Sequence, residues 1–230
     1  SITSSVSANT DSGFSIVSFT GNGVAGATIG HGLGVTPAMM IIKNRIRGDA
    51  SWLVYSSVLG NTKGLGLNLT TGAFTDSTVW NNTSPDVDKF AVGTNYQSNG
   101  STNTMIAYCF AEVKGFSKFG SYTGNGSTDG SFVYTGFSPA FVMIKNVGTS
   151  NWTMHDNKRN PYNQVTDRLY ANLSNAEDVG GPYGVDFLSN GMKMRTTEST
   201  SWNGNGVTFI YMAFAEQPFV TSTKTPTTAR

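Results

Sequence analysis

The amino-acid sequence predicts an all-β protein made of two tandem homologous β-sandwich units with a jelly-roll-like arrangement of strands. Three observations lead to this prediction: a composition rich in turn-forming residues, a self-similarity with a period of about 100 residues, and a shortage of helix-forming segments. The repeat divides the chain into a lead-in at 1–12, sandwich units at 13–114 and 115–219, and a tail at 220–230.

The composition favours strands and turns and excludes several classes of protein. Ser, Thr, Asn and Gly make up about 44% of the 230 residues, yet 38% hydrophobic residues are too many for a disordered coil. The net charge of +1 provides no attraction for nucleic acid. No apolar run reaches the roughly 18–20 residues of a membrane-spanning helix, so we expect no membrane insertion. No secretory signal follows Ser1, so we expect a mature chain or a piece of a longer one.

The self-similarity appears at five landmarks in the same chain order. The paired segments are 13–15 with 115–117, 20–23 with 123–126, 37–44 with 139–146, Trp52 with Trp152, and 106–112 with 210–216. Solenoid repeats recur at 20–50 residues, so a period of about 100 indicates tandem domains.

Strand patterns recur inside each unit. In the last strand of the first unit, large side chains alternate with the small ones of Ala107 and Cys109, which predicts a strand covered on both faces. We expect Ile106 and Ile210 at equivalent buried positions. The unbroken apolar runs at 39–42 and 141–144 predict central strands.

Turn signals separate these strands. Gly21-Asn22-Gly23 and its copy at 124–126 predict tight hairpin loops. Segment 167–173 has leucines four residues apart, which would suit a helix, but its counterpart at 63–69 alternates with period 2. We therefore predict a strand in both copies.

No residue pattern predicts a catalytic centre, a bound metal or a cofactor. The GxGxxG at 21–26 precedes no helix, so it does not predict a dinucleotide site. The second repeat has Tyr134-Thr135-Gly136 where the first has His31-Gly32, so this histidine is not shared. Cys109 corresponds to Ala213, which predicts a buried and inert thiol. Glu112 and Glu216 occupy equivalent strand ends, which points to a structural role rather than to a hydrolytic pair.

Aromatic residues beside amides predict the ligand site. A sugar presents an apolar ring face and hydroxyl groups, which suit an aromatic face next to amide side chains. The candidates precede the last strand of each unit and are Trp80, Asn81, Asn82, Tyr96, Trp202, Asn203 and Asn205. The alternative is that Trp80 and Trp202 are anchors that plug the ends of the sandwiches.

The repeated motifs resemble a known family. Phe14-Ser15, Thr20-Gly21-Asn22-Gly23, His31-Gly32-Leu33-Gly34 and the segment 106–112 are similar to a C-terminal repeat module of tail-fibre-like virion proteins in tailed bacteriophages, especially marine and cyanobacterial phages. The resemblance implies a virion location, contacts with other virion proteins and a homotrimer, but no catalytic residue.

These observations lead to three functional hypotheses. The first is a tail-fibre receptor-binding module that attaches to a host cell-surface glycan or protein. The alternative is a capsid decoration or fibre-stabilising protein that binds no receptor. A surface-polysaccharide depolymerase is the third, and the sequence offers no facing pair of carboxylates for it. We therefore expect a binding protein and not an enzyme.

Overall fold

The computed structural model describes residues 1–216 and confirms the all-β fold. The chain forms two compact units, one of residues 1–69 with 73–112, the other of residues 70–72 with those from 113 onward. The two helices among the described residues have four residues each. The predicted tail at 220–230, and residues 217–219 of the predicted second unit, lie outside the described residues.

The first unit pairs a seven-stranded antiparallel sheet with a two-stranded one. Its elements are β1 (Ser4–Asn9), β2 (Phe14–Thr20), β3 (Ala27–Gly30), β4 (Met39–Asn44), β5 (Trp52–Ser56), β6 (Lys63–Gly66), β7 (Phe74–Thr75), α1 (Ser77–Trp80), β8 (Lys89–Val92), α2 (Tyr96–Asn99) and β9 (Thr104–Phe110). The large sheet has the order β1-β2-β9-β4-β5-β6-β7, and β3 pairs with β8. The two sheets form the layers of a sandwich, because both contribute to one core.

The second unit pairs a five-stranded sheet with a three-stranded one. Its strands are β10 (Ser117–Thr123), β11 (Phe132–Tyr134), β12 (Pro139–Asn146), β13 (Trp152–Asp156), β14 (Leu169–Tyr170), β15 (Val185–Leu188), β16 (Gly191–Met194) and β17 (Thr208–Ala215). The large sheet has the order β10-β17-β12-β13-β14, and the small one β11-β16-β15.

The same central order recurs in both large sheets. In the first unit the central strands have the order β2-β9-β4-β5-β6, and in the second unit the order is β10-β17-β12-β13-β14. Each strand of one series comes from the part of the repeat that corresponds to its counterpart in the other series. Even a side-chain contact is repeated: Asn68 Oδ1 accepts from the Trp52 amide at 2.9 Å, and Asn172 Oδ1 accepts from the Trp152 amide at 2.8 Å. This recurrence is what a tandem repeat predicts. The prediction of strand rather than helix at 63–69 and 167–173 is confirmed by β6 and β14.

The inner face of β9 explains the small side chains in the last strand. Met105, Ala107 and Cys109 are fully buried in the first core, where the rings of Phe19, Phe90 and Trp80 occupy most of the interior. Ile106 lies on the opposite face and is only half-buried, whereas Ile210 is fully buried. The prediction that both isoleucines are buried is therefore wrong for Ile106.

The repeated Gly-Asn-Gly segments do not form hairpins. The chain leaves β2 at Gly21 and enters β3, which belongs to the other sheet, so segment 21–26 crosses the sandwich. A Cβ atom on Gly21 would lie 2.3 Å from Gly100 O, and one on Gly124 would lie 2.4 Å from Gly204 O. Glycine is required at both positions because the crossing segment passes directly against the backbone that leads into the last strand.

The burial of Cys109 predicts an unreactive thiol. Burial raises the pKa of Cys109 to about 12, which leaves almost no nucleophilic thiolate near neutral pH. We expect Ellman's reagent to leave the native protein unmodified at pH 8 and to titrate one thiol per chain in guanidinium chloride. Rapid reaction of the native protein would show that this core opens.

Candidate functional site

The two predicted tryptophans are core residues. Trp80 is 1% exposed and Trp202 is fully buried, so neither indole presents a face to a ligand. Trp80 Nε1 donates to Lys63 O at 3.0 Å. The prediction that these rings stack on a sugar is wrong, and the alternative of a structural anchor is correct.

Trp80 and Trp202 occupy corresponding places in the cores of the two units, although they come from positions that do not correspond in the repeat. Trp80, in α1, packs edge-on against Tyr55 with ring centroids 5.7 Å apart. Trp202 precedes β17 and packs edge-on against His155 with centroids 4.0 Å apart. Tyr55 and His155 hold matching places in β5 and β13, so the packing is shared although the tryptophans do not align.

The remaining first-unit candidates lie in turns around the two short helices. Asn81 and Asn82 adopt left-handed backbone conformations with φ of 53° and 48°, where Asn81 ends α1. Tyr96 begins α2 and is 40% exposed, with the Arg47 guanidinium 4.7 Å from its ring centroid. One ring face of Tyr96 is thus occupied by a cation, which leaves less apolar surface for a sugar.

Asn203 is a structural clamp rather than a ligand contact, and Asn99 is its first-unit counterpart. Asn203 is fully buried, and its Oδ1 accepts from the Asn125 amide at 3.0 Å. Its Nδ2 donates to Ser127 O at 2.7 Å and to Thr196 O at 2.8 Å. The side chain therefore joins the crossing segment to the chain before the last strand. Asn205, two residues later, is exposed.

Asn99 makes the same contacts in the first unit. Its Oδ1 accepts from the Asn22 amide at 2.9 Å, and its Nδ2 donates to Gly93 O at 2.8 Å and to Val24 O at 3.1 Å. The sequence signal for this pair was present in Asn99-Gly100 and Asn203-Gly204, both followed by the last strand. From its place next to Trp202, Asn203 was instead predicted to contact a ligand.

His31 holds a turn, and Thr135 replaces it in the second unit. His31 is fully buried; its Nε2 donates to Asp86 O at 3.1 Å, and its Nδ1 accepts from the Leu33 amide at 3.2 Å. Thr135 Oγ1 likewise accepts from the amide two residues on, that of Phe137, at 3.5 Å. The histidine therefore matches Thr135 and not Tyr134. Burial lowers the pKa of His31, against the opposing effect of the Asp86 carbonyl.

Two exposed aromatic residues outside the predicted ligand site lie on β11. Phe132 is 46% exposed and Tyr134 is 65% exposed, whereas Val133 between them is buried in the core. Strand alternation therefore places both rings on the outer face of the three-stranded sheet, about 7 Å apart along the strand. Within residues 1–216, no other strand exposes two aromatic rings in this way.

Strand register defines the surface around these rings. Phe132 pairs with Lys193, which pairs with Asp186; Tyr134 pairs with Gly191, which pairs with Leu188. We call the surface formed by these six residues the β11 face. A Cβ atom on Gly191 would lie 2.8 Å from Phe132 Cζ, so the ring of Phe132 covers the backbone of this glycine. The absence of a side chain at Gly191 therefore lets the Phe132 ring pack against the backbone of β16.

Paired charges lie on and beside the β11 face. Lys193 Nζ lies 2.5 Å from Asp129 Oδ1, and Arg195 Nε lies 2.9 Å from Asp186 Oδ2. Arg195 Nη1 also lies 3.9 Å from Asp129 Oδ1. The Lys193 ammonium lowers the pKa of Asp129, which keeps this carboxylate ionised. Two cations and two carboxylates therefore lie at the Phe132 end of the β11 face and together carry no net charge.

The first unit lacks this surface. At the positions of Phe132 and Tyr134 it has Thr28 and Gly30, and the N-terminal segment pairs with the edge of this strand. The Ile2 amide donates to Thr28 O at 2.8 Å, and Ser4 Oγ donates to Gly30 O at 3.2 Å. The β11 face is thus a property of the second unit alone. The sequence signal that could have found it is the change from small to aromatic residues in one repeat only.

Comparison with known families adds one finding. The model of a family described as Domain of unknown function (DUF7483) matches residues 1–218. The chain belongs to this family. No curated protein and no solved structure matches the sequence. The DUF7483 match extends over both units rather than over one repeat.

Residues 1–216 contain no group of three His, Cys, Asp or Glu side chains that could hold a metal ion. No helix in the same residues is long and apolar enough to cross a bilayer.

The clamp predicts a large difference between two neighbouring asparagines. Asn203→Ala in the DUF7483 domain removes four hydrogen bonds and leaves buried backbone groups unpaired, so we expect a loss of about 3 kcal/mol or more in unfolding free energy. Asn205→Ala, on an exposed side chain, should change it by less than about 0.5 kcal/mol. Equal losses of unfolding free energy for the two variants in urea denaturation would contradict the structural role of Asn203.

Burial of the two histidines predicts loss of stability in acid. Burial lowers the pKa of His155 to about 3, and the pKa of His31 is also lowered from 6.5. The unfolded chain therefore binds protons below pH 6.5 that the folded domain does not, so the stability present above this pH falls as pH decreases. His155 alone should cost about 2 kcal/mol between pH 7 and pH 5.

Each unit supplies the control substitution for the other. His155→Tyr introduces the residue found at Tyr55, and His31→Thr introduces the residue found at Thr135. Urea denaturation at pH 7, 6 and 5 should give a shallower pH dependence for each variant than for the wild type. If the free energy of unfolding fell as steeply with decreasing pH in both variants as in the wild type, burial of these histidines would not be the cause of the acid sensitivity.

Proposed function

We propose that this DUF7483 domain is an attachment module of a bacteriophage virion, in which the β11 face contacts a glycan or protein on the host cell surface. The main support for this proposal is the pair of exposed aromatic rings on the β11 face. Exposed aromatic rings on a soluble protein mark interaction sites, because water solvates them poorly. A strand that exposes Phe132 and Tyr134 on either side of buried Val133 presents both rings on the outer face of a hydrogen-bonded sheet.

The virion location rests on the motif resemblance described above. The Thr-Gly-Asn-Gly and Ile-Ala-Tyr-Cys-Phe-Ala-Glu segments that carry the resemblance form the crossing segment and the last strand of the sandwich. Both segments belong to the sandwich scaffold. The contact residues lie elsewhere, so one scaffold could serve different receptors.

The charges of the β11 face favour binding over hydrolysis. A glycosidase needs a carboxylic acid whose pKa is raised so that it can protonate the leaving group. The pKa of Asp129 is instead lowered by Lys193, and Asp186 is ion-paired with Arg195. We therefore propose a non-enzymatic module. Display in a homotrimer would multiply a weak contact at each β11 face into useful avidity.

The test removes the rings without breaking the strand. In the double variant Phe132→Thr and Tyr134→Thr, β-branched residues preserve strand propensity, so the melting temperature should stay within a few degrees of the wild type. We expect fluorescently labelled variant protein to bind susceptible host cells at least about tenfold more weakly than wild type, because each aromatic contact contributes about 1 kcal/mol beyond its burial.

Tyr96→Thr in the first unit is the matched control and should leave binding unchanged. Unchanged binding in the double variant would overturn the assignment of the β11 face. If the wild-type protein bound virions but no host cells, the receptor-binding role would be rejected in favour of a decoration or fibre-stabilising role.

A further inference from the structure

We infer that the β11 face recognises an uncharged glycan. This inference rests on the proposed attachment function and specifies its ligand. The observation behind it is the juxtaposition of two exposed aromatic rings with two cations and two carboxylates that neutralise each other.

Charge pairing argues against an ionic ligand. A site for phosphate, sulfate or carboxylate groups needs Lys or Arg side chains free to donate to the anion. Here Lys193 faces Asp129, and Arg195 faces both Asp186 and Asp129. An anionic ligand would have to displace a carboxylate from its cation and would then lie beside that carboxylate. A cationic ligand would likewise have to displace Lys193 or Arg195 from its carboxylate and would then lie beside that cation.

The same pairing suits hydroxyl groups. Carboxylate oxygens keep lone pairs that accept from a hydroxyl, and ammonium and guanidinium groups keep N–H bonds that donate to one. Asp129 is 80% exposed at its side chain, and Lys193 and Arg195 are about one-third exposed, so parts of these three side chains are accessible from solvent. An uncharged sugar can use both kinds of group without breaking either ion pair.

Two aromatic residues on one strand suit a chain of sugars on an open surface. Phe132 and Tyr134 lie two residues apart on the same side of β11, so their Cα atoms are about 7 Å apart, and the Phe132 ring lies over the backbone of Gly191. Two neighbouring sugar rings can each place an apolar face on one aromatic ring. The shape of the β11 face therefore favours internal units of a polysaccharide over a single terminal sugar.

A peptide ligand is a weaker match. Strand addition at a sheet edge obtains its affinity from main-chain hydrogen bonds. Strand β11 has only three residues, and it pairs with β16 on one side, so it offers few free backbone groups to a peptide. The side chains rather than the backbone thus determine what this surface binds.

The test separates host surface polysaccharide by anion exchange into neutral and acidic fractions. Binding of each fraction to the full chain is measured by calorimetry at low and high salt, about 50 and 500 mM NaCl. We expect the neutral fraction to bind with an affinity that changes less than about twofold with salt, and Phe132→Thr with Tyr134→Thr to reduce that affinity at least tenfold. Tyr96→Thr should have no effect.

The outcomes separate this inference from the proposed function. Binding of the acidic fraction alone, weakened about tenfold by salt, would overturn the uncharged ligand and leave the attachment function in place. Binding to cells that is abolished by protease treatment, with neither fraction bound, would also overturn it and point to a protein receptor. Failure of the wild-type protein to bind cells at all would reject both proposals.

Discussion

The buried asparagine before the last strand is the contact on which each sandwich depends. In both units the chain must leave the large sheet after its first central strand and cross to the small sheet, which exposes backbone groups that no ladder can pair. Asn99 and Asn203 satisfy these groups by accepting from one amide and donating to one carbonyl of the crossing segment, and they donate to a second carbonyl in the chain before the last strand. Glycines at 21 and 124 allow the crossing segment to approach closely enough for these bonds to form.

Because these contacts hold each sandwich together, other positions can differ between the two units. The position filled by Trp80 from α1 in the first unit is filled by Trp202 from a different segment in the second. The turn held by an imidazole at His31 is held by a hydroxyl at Thr135. The outer faces of β3 and β11 also differ: β3 has the small residues Thr28 and Gly30 where β11 exposes Phe132 and Tyr134. The two units thus share packing and differ in the surface they present.

Local patterns in the sequence were sufficient to predict the strands but not the surface. Residue alternation and the repeat predicted the all-β fold and the burial of Cys109, because both depend on neighbours along the chain. The burial of Trp80 could not be predicted in this way, because it depends on packing against Tyr55 and a hydrogen bond to Lys63 O, both on other elements of the fold. The crossing at 21–26 was mistaken for a hairpin because glycine and asparagine suit either conformation. Phe132 and Tyr134 were missed because their exposure depends on which face of β11 meets the core.

The central claim is that the ligand contacts Tyr134 and its neighbours rather than the residues near α1 and α2. Fluorine NMR of the full chain with 3-fluorotyrosine at its nine tyrosines addresses this directly. The resonances are assigned by replacing Tyr134 and Tyr96 individually with Phe. Upon addition of host surface polysaccharide, the Tyr134 signal should shift and broaden while that of Tyr96 stays unchanged. A shift of the Tyr96 signal with an unchanged Tyr134 signal would contradict the account.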